Sequence, residues 1–314
     1  MLTASVLTPS GEVEAAHRSQ EEQREHERER VAAHYQHSPD VFSLVLDKGL
    51  TYSTGIYLDP VDGLETAQQR KFEYVKQMLD IRPGETVLDI GCGWGSNMLF
   101  LAAHTGGNFR GITLSSQQRE ELLRRAKSRG LDGRIQIDLC HVEELDVPAE
   151  SVDAILFSGS IVHMRHREQV HSQTARMLKP GGRVLISDCY FPAHSRGNRD
   201  SAATDHIFYK TLGYCLLLNL HQELGFMEKA GLDILHVQDL SGSYALTLGA
   251  WIDNIRRNRE RINAIDPGFA AVLQSYMTVA KLSFARRTAL EYMILATKGH
   301  PRSTGGALQM RNLI

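Results

Sequence analysis

An acidic residue and three alternating glycines follow an apolar run in the stretch VLDIGCGWGSNMLFLAA, residues 87–103. Asp89 closes the run, and Gly91 and Gly93 let the backbone turn tightly and approach a ligand with no Cβ in the way. A helix start near Gly95 would add unpaired N–H groups. A dinucleotide site would instead show G-x-G-x-x-G and an acid about 20 residues later. This spacing differs from that fingerprint, so it leaves open NAD or another adenosine ligand.

Apolar runs and helical spacing alternate around this turn. The predicted strands are 86–90, 109–113, 134–138, 153–158, 182–188, 233–239 and 291–297. The predicted helices are 64–79, 95–104, 116–129, 143–145, 166–178, 222–230, 244–263 and 267–287. Short links between alternating elements predict an α/β fold, a Rossmann-like, doubly wound and mostly parallel sheet of seven strands. In such a sheet, a ligand binds at the carboxyl ends of the strands, where the strand order reverses.

Composition narrows the function classes. The chain has 314 residues, of which 42% are hydrophobic and 23% charged, and its formal net charge is −2. This balance gives no electrostatic reason to expect nucleic acid. Four scattered cysteines favour a reducing compartment over a disulfide framework, and no apolar run reaches the roughly 20 residues of a membrane span. We therefore expect a cytoplasmic protein with no membrane span.

The two ends of the chain differ from its centre. Residues 1–50 are predicted to form an N-terminal helical arm, in which residues 18–30 carry no apolar side chain. A helix without an apolar stripe is not stable alone. The arm is therefore either a solvated segment or a contact with a neighbouring subunit or the active site. We expect a homo-oligomer formed through this arm, and a flexible tail over 300–314.

Further motifs identify a family. They are YSTGIYLDPVDGLETAQQRKFEYV, GITLSSQQ, MLKPGGRVLISD, SYALTLGAWIDNI and FARRTALEYMILATKG. With the glycine turn, these motifs resemble the class I S-adenosylmethionine-dependent methyltransferases over roughly residues 50–299. The likeness is to their cyclopropane-fatty-acid-synthase-like branch, which includes isoprenoid and teleocidin-type C-methyltransferases. The resemblance implies a methyltransferase domain over 51–299 and S-adenosyl-L-methionine as the cofactor.

The resemblance also implies the residues that bind this cofactor. Tyr52 and Ser53 would contact its methionine end, Thr113 and Gln118 the ribose, and Val142 and Glu143 the adenine edge. The full predicted set is Tyr52, Ser53, Asp89, Gly91, Gly93, Thr113, Gln118, Val142, Glu143 and Ser158, with Ser158 and Gly159 under the methyl donor. Two alternatives remain: helix capping around Ser115 for Gln118, and a first-turn helix acid for Glu143.

The chain lacks several of the residues that, by the same resemblance, hold a bicarbonate ion in true cyclopropane synthases. Those enzymes carry a Glu-His pair after the fourth strand, a histidine on the fifth strand and a tyrosine on the late helix. The matching positions here are Val162-His163, Ser187 and Val279. A buried anion needs several donors or a countercharge, so cyclopropane formation is disfavoured.

Two histidines are candidates for acid–base chemistry. His163 and His166 lie in SIVHMRHREQVH, after the fourth predicted strand. Either can take a proton near the acceptor. The alternatives are a loop histidine bonded to backbone for His163 and a helix cap for His166. No carboxylate or cysteine completes a metal-ligand spacing, so we expect no metal.

The segment 190–226 is predicted to be a helical substrate lid. Its aromatic and apolar residues suit a hydrophobic small molecule, although they would equally form the core of a lid helix. The predicted pocket residues are Tyr190, Phe191, Phe208, Tyr209 and Tyr214. Together with the absence of a carboxylate for a cationic amine, the lid favours carbon as the methyl acceptor.

The leading hypothesis is therefore C-methylation of an alkene on a prenylated terpenoid or indole alkaloid. Methyl transfer to an alkene leaves a carbocation, which aromatic faces can stabilise. The alternative is N- or O-methylation of an aromatic metabolite. A binding protein that kept the fold and lost the chemistry is a third possibility, from which turnover would distinguish the first two.

Overall fold

Seven strands form one sheet in the order β3-β2-β1-β4-β5-β7-β6, and only β7 runs antiparallel to its neighbours. The structure is a computed structural model, and it describes residues 38–193 and 215–300. The strands are β1 Thr86–Ile90, β2 Asn108–Thr113, β3 Ile135–Leu139, β4 Val152–Ser158, β5 Leu178–Tyr190, β6 Leu232–Asp239 and β7 Leu290–Lys298. The predicted doubly wound, mostly parallel seven-stranded sheet is confirmed.

Nine α-helices lie within the described ranges. They are α1 Pro39–Val45, α2 Leu64–Leu79, α3 Ser96–His104, α4 Ser116–Ser128, α5 Arg167–Met177, α6 Leu220–Lys229, α7 Ser241–Arg257, α8 Arg259–Ile265 and α9 Phe269–Ala285. Three short 3₁₀ turns add Asp132–Arg134, Val142–Glu144 and Ile161–His163. None of these helices is long and apolar enough to cross a membrane.

Three hydrophobic clusters hold the layers together. One covers the face of the sheet that packs on α2 and α3, and a second covers the opposite face. Because both faces are covered, the central strands β1 and β4 are apolar almost throughout and do not alternate with polar residues. The third cluster joins α1, α7 and α9 and includes Trp94 and Val162, which follow β1 and β4. This third cluster therefore forms a wall beside the carboxyl ends of the strands.

Helix α1 belongs to this wall, although the sequence places it in the N-terminal arm. Ser38 caps the helix by accepting from the Asp40 amide at 3.2 Å. Val41, Phe42 and Val45 are fully buried. Residues 1–37 lie outside the described residues, as do 194–214 of the predicted lid and 301–314 of the predicted tail. Assembly through the arm thus stays a prediction.

The predicted helix over 244–263 is wrong as one element, because it divides at Asn258. Asn258 ends α7 and begins α8 with φ −108° and ψ 14°. Its side-chain amide donates to the Leu44 carbonyl at 2.9 Å and to the Asn254 carbonyl at 3.2 Å. Side-chain bonds of this kind compete with the helical ladder. The break lets α8 turn back onto α1 and α9.

A buried ion cluster ties the last part of the predicted lid segment to the start of α5. Glu223 accepts from Arg167 at 2.5 Å and contacts His171 at 2.6 Å, and all three side chains are buried. The same Arg167 also donates to the Leu216 carbonyl at 2.8 Å. In return, the Leu216 amide donates to the Val162 carbonyl at 2.7 Å. These bonds fix residues 215–218 against the turn that carries His163.

We predict that Glu223→Ala lowers the free energy of unfolding by about 3–5 kcal/mol, because it leaves Arg167 buried without its countercharge. The matched control is Glu168→Ala on α5, where the carboxylate is 62% exposed and lies 3.9 Å from Lys229. This control should change the free energy by less than about 0.5 kcal/mol. Urea unfolding followed by circular dichroism measures both. Equal unfolding midpoints for the two variants would contradict the prediction.

Candidate functional site

Three adjoining cavities lie at the carboxyl ends of β1 and β4. Between these two strands the chain order of the sheet reverses, which is where ligands bind in open α/β sheets. The first cavity has an empty volume of about 680 Å³ and the second about 480 Å³, and they meet at Gly91 and Gly93. The third, of about 510 Å³, shares Gly159 with both. The predicted location of the site is therefore also the place where the fold leaves room.

The two glycines of the turn after β1, Gly91 and Gly93, have different surroundings. Gly91 has φ +78°, and a Cβ there would lie 2.4 Å from the Cβ of Ser160. Gly93 has φ +55°, but the nearest atom to a Cβ would be Gln118 Nε2 at 4.0 Å. Gly91 is thus required by protein packing, whereas Gly93 faces open space between the first two cavities. Space of this kind beside a backbone turn suits a bound ligand.

Thr113 and Gln118 lie together in the first cavity. The Thr113 hydroxyl donates to the side-chain oxygen Gln118 Oε1 at 2.7 Å. The backbone N–H of Gln118 donates to Ser115 Oγ at 3.3 Å. Ser115 therefore caps α4, as the alternative interpretation proposed, while the Gln118 side chain still lines the cavity. With Oε1 occupied, Nε2 is the group that can donate to a ligand hydroxyl.

Val142 lines the first cavity, but Glu143 does not. Both residues stand in the 3₁₀ turn Val142–Glu144, in which consecutive side chains point about 120° apart. The turn is capped by His141, whose Nδ1 accepts from the Glu143 amide at 3.3 Å. The predicted contact of the Glu143 side chain with adenine therefore has no support here. The flat, apolar part of the cavity comes from Ile90, Ile112 and Met164.

The second cavity brings Tyr52, Ser53, Asp89 and Ser158 together. Asp89 is 3% exposed, and burial raises the pKa of its carboxyl to about 7. Its Oδ1 has no hydrogen-bond partner within residues 38–193 and 215–300. A buried acceptor of this kind is costly unless a ligand donor meets it. The open space at Gly93 and this orphaned oxygen fit S-adenosylmethionine, whose amino group supplies such a donor.

Aromatic side chains and one histidine line the third cavity. Its rings are Tyr52, Tyr244, Tyr276 and Phe284, and its other side chains are Val162, His163, Asp188, Cys189 and Cys215. Tyr244 and Phe284 pack with their ring centroids 4.5 Å apart. His163 lines both this cavity and the first one. It therefore stands at the boundary between the predicted cofactor cleft and the space left for an acceptor.

The turn Ile161–His163 is held in place by Asp188 at the end of β5. Asp188 Oδ2 accepts from the Ile161 amide at 2.9 Å and the Val162 amide at 3.3 Å. Burial raises the pKa of the Asp188 carboxyl to about 6, although the backbone amides of Cys189 and Val162 and the charge of Arg167 oppose the shift. His166, the other predicted catalytic residue, begins α5 without a side-chain cap bond and lines none of the three cavities. The geometry thus supports His163 and not His166.

The expectation that no carboxylate lies near the acceptor is wrong. Asp188 lines the third cavity, and Glu291 on β7 pairs with the next residue of β5, Cys189. Glu291 accepts from Ser187 Oγ at 2.9 Å and from Cys189 Sγ at 3.3 Å. Burial raises the pKa of the Glu291 carboxyl to about 8. Sequence spacing did not show this because the two acids are 103 positions apart and meet only through the β5–β7 ladder.

The late helix does contribute a tyrosine to the cavity. Tyr276 lines the third cavity from α9, one turn before Val279, the position matched to the late-helix tyrosine of cyclopropane synthases. The structure also shows what replaces the glutamate and the strand histidine of those enzymes. Val162 lines the cavity with an apolar side chain, and the Ser187 hydroxyl is bonded to Glu291.

The predicted pocket role of Tyr190 is wrong. Strand β5 continues to residue 190, so successive side chains point to opposite faces of the sheet. Cys189 lines the third cavity, whereas Tyr190 packs in the hydrophobic core of the sheet, fully buried beside Tyr292. Phe191 packs against the cluster of α1, α7 and α9 without lining a cavity. The remaining pocket residues, Phe208, Tyr209 and Tyr214, lie outside the described residues.

Sequence reasoning missed several residues of the site. The missed side chains that line a cavity include Trp94, Asn97, His141, Asp188, Cys189, Tyr244 and Tyr276. Tyr244 stands in the quoted motif SYALTLGAWIDNI, so a signal for it existed. Within the two ranges that the structure describes, no group of three potential ligands could hold a metal ion.

Comparisons with known proteins place the chain in a family. Residues 22–292 match the family described as Mycolic acid cyclopropane synthetase. The chain is 33% identical over 219 residues to the methyltransferase GfsG of Streptomyces halstedii, covering 67% of this chain and 75% of that protein. It is 29% identical over 204 residues to the 27-O-demethylrifamycin SV methyltransferase of Amycolatopsis mediterranei, covering 64% of this chain and 74% of that protein.

Two further comparisons concern coverage and fold. A probable fatty acid methyltransferase of Mycobacterium tuberculosis is 26% identical over 278 residues, which is 87% of this chain but 64% of that protein. The chain thus spans less than two thirds of the length of that relative. The crystal structure of the mycolic acid cyclopropane synthase CmaA1, complexed with SAH and CTAB, superposes with a TM-score of 0.81 at 24% identity. That superposition covers 86% of this chain and 98% of the other, and it shows a shared fold.

We predict that Gly93→Ala weakens cofactor binding about tenfold or more, because the added methyl group projects into the space between the first two cavities. Folding should cost only about 1 kcal/mol, from the positive φ. Calorimetric titration with S-adenosylhomocysteine measures the affinity. The matched control is Gly133→Ala, on an exposed turn where nothing lies within 4 Å of the new Cβ. Unchanged affinity in Gly93→Ala would show that the ligand does not pass this glycine.

Proposed function

Because the chain belongs to the mycolic acid cyclopropane synthetase family and is an S-adenosylmethionine-dependent methyltransferase, we propose that it methylates a hydroxyl oxygen of a hydrophobic small molecule. The observation that carries this proposal is the position of His163, which lines both the first and the third cavities. A base at this boundary is within reach of an acceptor that faces the methyl donor.

The proposed chemistry needs little from the protein beyond placement and one base. When bound, S-adenosylmethionine supplies a methyl group already activated as a sulfonium. On transfer of that methyl group to the acceptor oxygen, the hydroxyl proton would pass to the imidazole of His163. The imidazole would then carry the positive charge that the methyl donor gives up. Asp188, which lines the same cavity, provides a carboxyl group near the charge that develops.

One observation supports a heteroatom acceptor over the carbon acceptor that the sequence favours. The preference for carbon rested in part on a cavity without a carboxylate, and Asp188 lines that cavity. The name of the rifamycin relative states methylation at an oxygen, which supports oxygen over nitrogen.

C-methylation of an alkene is the second candidate, and the rings of the third cavity favour it. Tyr52, Tyr244, Tyr276 and Phe284 surround the space beside Gly159. Aromatic faces stabilise a cation by about 0.5–2 kcal/mol each when water is excluded. A carbocation left by methyl transfer would gain from such a lining, and His163 would then remove a proton afterwards. The relative named as a fatty acid methyltransferase is compatible with this acceptor class.

The position of a labelled methyl group distinguishes the two candidates. We would incubate the protein with methyl-labelled S-adenosylmethionine and a panel that pairs hydroxylated macrolides and phenols with unsaturated acyl and prenyl compounds. Label on oxygen supports the proposal, and label on a former alkene carbon replaces it with the second candidate. Label on nitrogen would contradict both.

We predict that His163→Gln lowers kcat by about 10²–10⁴, the usual contribution of a general base, and leaves the affinity for S-adenosylhomocysteine within about twofold. The matched control is His166→Gln three positions later, which lines no cavity and should keep its kcat. Steady-state kinetics and calorimetry measure the two quantities. Full activity in His163→Gln would exclude His163 as the base for either acceptor.

A further inference from the structure

A lysine lies beneath the second cavity with almost no contact with solvent. Lys71 on α2 is 1% exposed and is among the largest fully buried side chains in the described residues. Its ammonium lies 4.8 Å from the centroid of the Phe72 ring. A buried ammonium costs several kcal/mol unless its surroundings compensate, and methionine would fill the same space without that cost. The position therefore calls for a role other than packing.

The ammonium of Lys71 points at one residue of the second cavity. Its Nζ donates to Ser53 Oγ at 2.9 Å. One turn earlier on α2, Gln68 Nε2 donates to the Ser53 carbonyl, also at 2.9 Å. Helix α2 thus holds Ser53 through both its hydroxyl and its backbone. Within the described ranges Lys71 forms no direct ion pair, so Ser53 is its principal polar contact.

This contact decides what Ser53 can do. An ammonium only donates, so the Ser53 oxygen must accept from it. The Ser158 hydroxyl oxygen lies 3.5 Å from Ser53 Oγ, too far for a strong hydrogen bond in either direction. The proton of Ser53 is then left for a partner in the cavity. A charged Lys71 therefore makes Ser53 a donor toward an anionic or oxygen-bearing group.

The same cavity also contains a group of complementary chemistry. Asp89 lines it with an oxygen, Oδ1, that lacks a hydrogen-bond partner within the described residues. A hydroxyl donor and a carboxylate acceptor in one cavity match the two charges of an α-amino acid group. The methionine end of S-adenosylmethionine carries both a carboxylate and an ammonium.

We propose that Lys71 is a positioning residue for the cofactor, which acts through the Ser53 hydroxyl to bind the carboxylate of the methionine end. Its positive charge compensates that carboxylate, while Asp89 takes the ammonium. The proposal concerns cofactor binding only and holds whichever acceptor is methylated.

The protonation of Lys71 gives the interaction a pH dependence. Burial lowers the pKa of Lys71 to about 7, against the opposing effect of the carboxyl groups of Asp47, Glu291 and Asp89. Above that pH the amine is neutral and can accept the proton of Ser53, which reverses the donor direction. The contribution of Lys71 to cofactor affinity is therefore present below pH 7 and lost as the pH rises.

The test is Lys71→Met, measured by calorimetric titration with two ligands. S-adenosylhomocysteine carries the amino-acid group, and 5′-methylthioadenosine lacks it. At pH 6.5 we expect about a tenfold loss of affinity for the first ligand and no change for the second. At pH 8.5 the difference between wild type and variant should shrink. The amine of the ligand itself titrates alike with both proteins, so its titration cancels in the difference.

Controls separate this role from a structural one. Lys76→Met makes the same substitution on the surface of the same helix, where Lys76 pairs with Glu73, and it should change neither affinity. Removal of a buried charge should leave the thermal midpoint of Lys71→Met equal or higher. Equal loss of both ligands, or full affinity for S-adenosylhomocysteine at pH 6.5, would overturn the proposal.

A second variant keeps the proposal testable if Lys71→Met does not fold. Ser53→Ala removes the group through which Lys71 is proposed to act. It should show the same selective loss of S-adenosylhomocysteine, and adding Lys71→Met to it should cost little more. Retention of full affinity in Ser53→Ala would overturn the proposal as well. Both readouts are binding constants, so a wrong acceptor assignment would leave them unaffected.

Discussion

The close approach of Gly91 to Ser160 is the contact on which the site depends. It joins the loop after β1 to the loop after β4, since Ser160 Oγ donates to the Ile90 carbonyl at 2.6 Å and its Cβ occupies the place of a Gly91 side chain. On one side of this contact lie the two cavities that fit the cofactor, and on the other lies the aromatic cavity. His163 can face both sides only because it follows Ser160 by three residues in a tight turn. The separation of donor and acceptor spaces thus follows from one backbone approach.

Buried ionisable groups are concentrated around this contact. Asp89, Asp188, Glu291 and Lys71 are each at most 4% exposed. Each such group costs free energy in a low-dielectric interior. The sheet tolerates them because its two faces and the wall of α1, α7 and α9 bury a large apolar surface nearby. Their proximity to one edge of the sheet is typical of a site at which charge is moved or compensated.

The sequence predicted elements better than it predicted side-chain directions. Helix 64–79 was predicted with its observed bounds, since Gly63 and Asp80 flank an amphipathic stretch. The prediction of strand β1 was also correct, because a short apolar run before a glycine turn is typical of a buried strand. Tyr190 was misplaced because β5 extends two residues further than its apolar pattern, which decides the face on which each side chain lies. The Asp188–Glu291 pair was not predictable, because nothing local connects β5 to an antiparallel neighbour formed so much later in the chain.

The antiparallel insertion of β7 between β5 and β6 has a consequence for biosynthesis. Every other strand of the sheet leaves the ribosome before β7, so β5 and β6 emerge with their facing edges unpaired. Such edges are open to pairing with other chains until they are covered. Glu291 also arrives only with this strand, and it is the hydrogen-bond partner of Cys189, which lines the aromatic cavity. During translation, the two cavities proposed to bind the cofactor can therefore form before the aromatic cavity is complete. A cofactor molecule bound at that stage would stabilise the first part of the sheet before β7 is added.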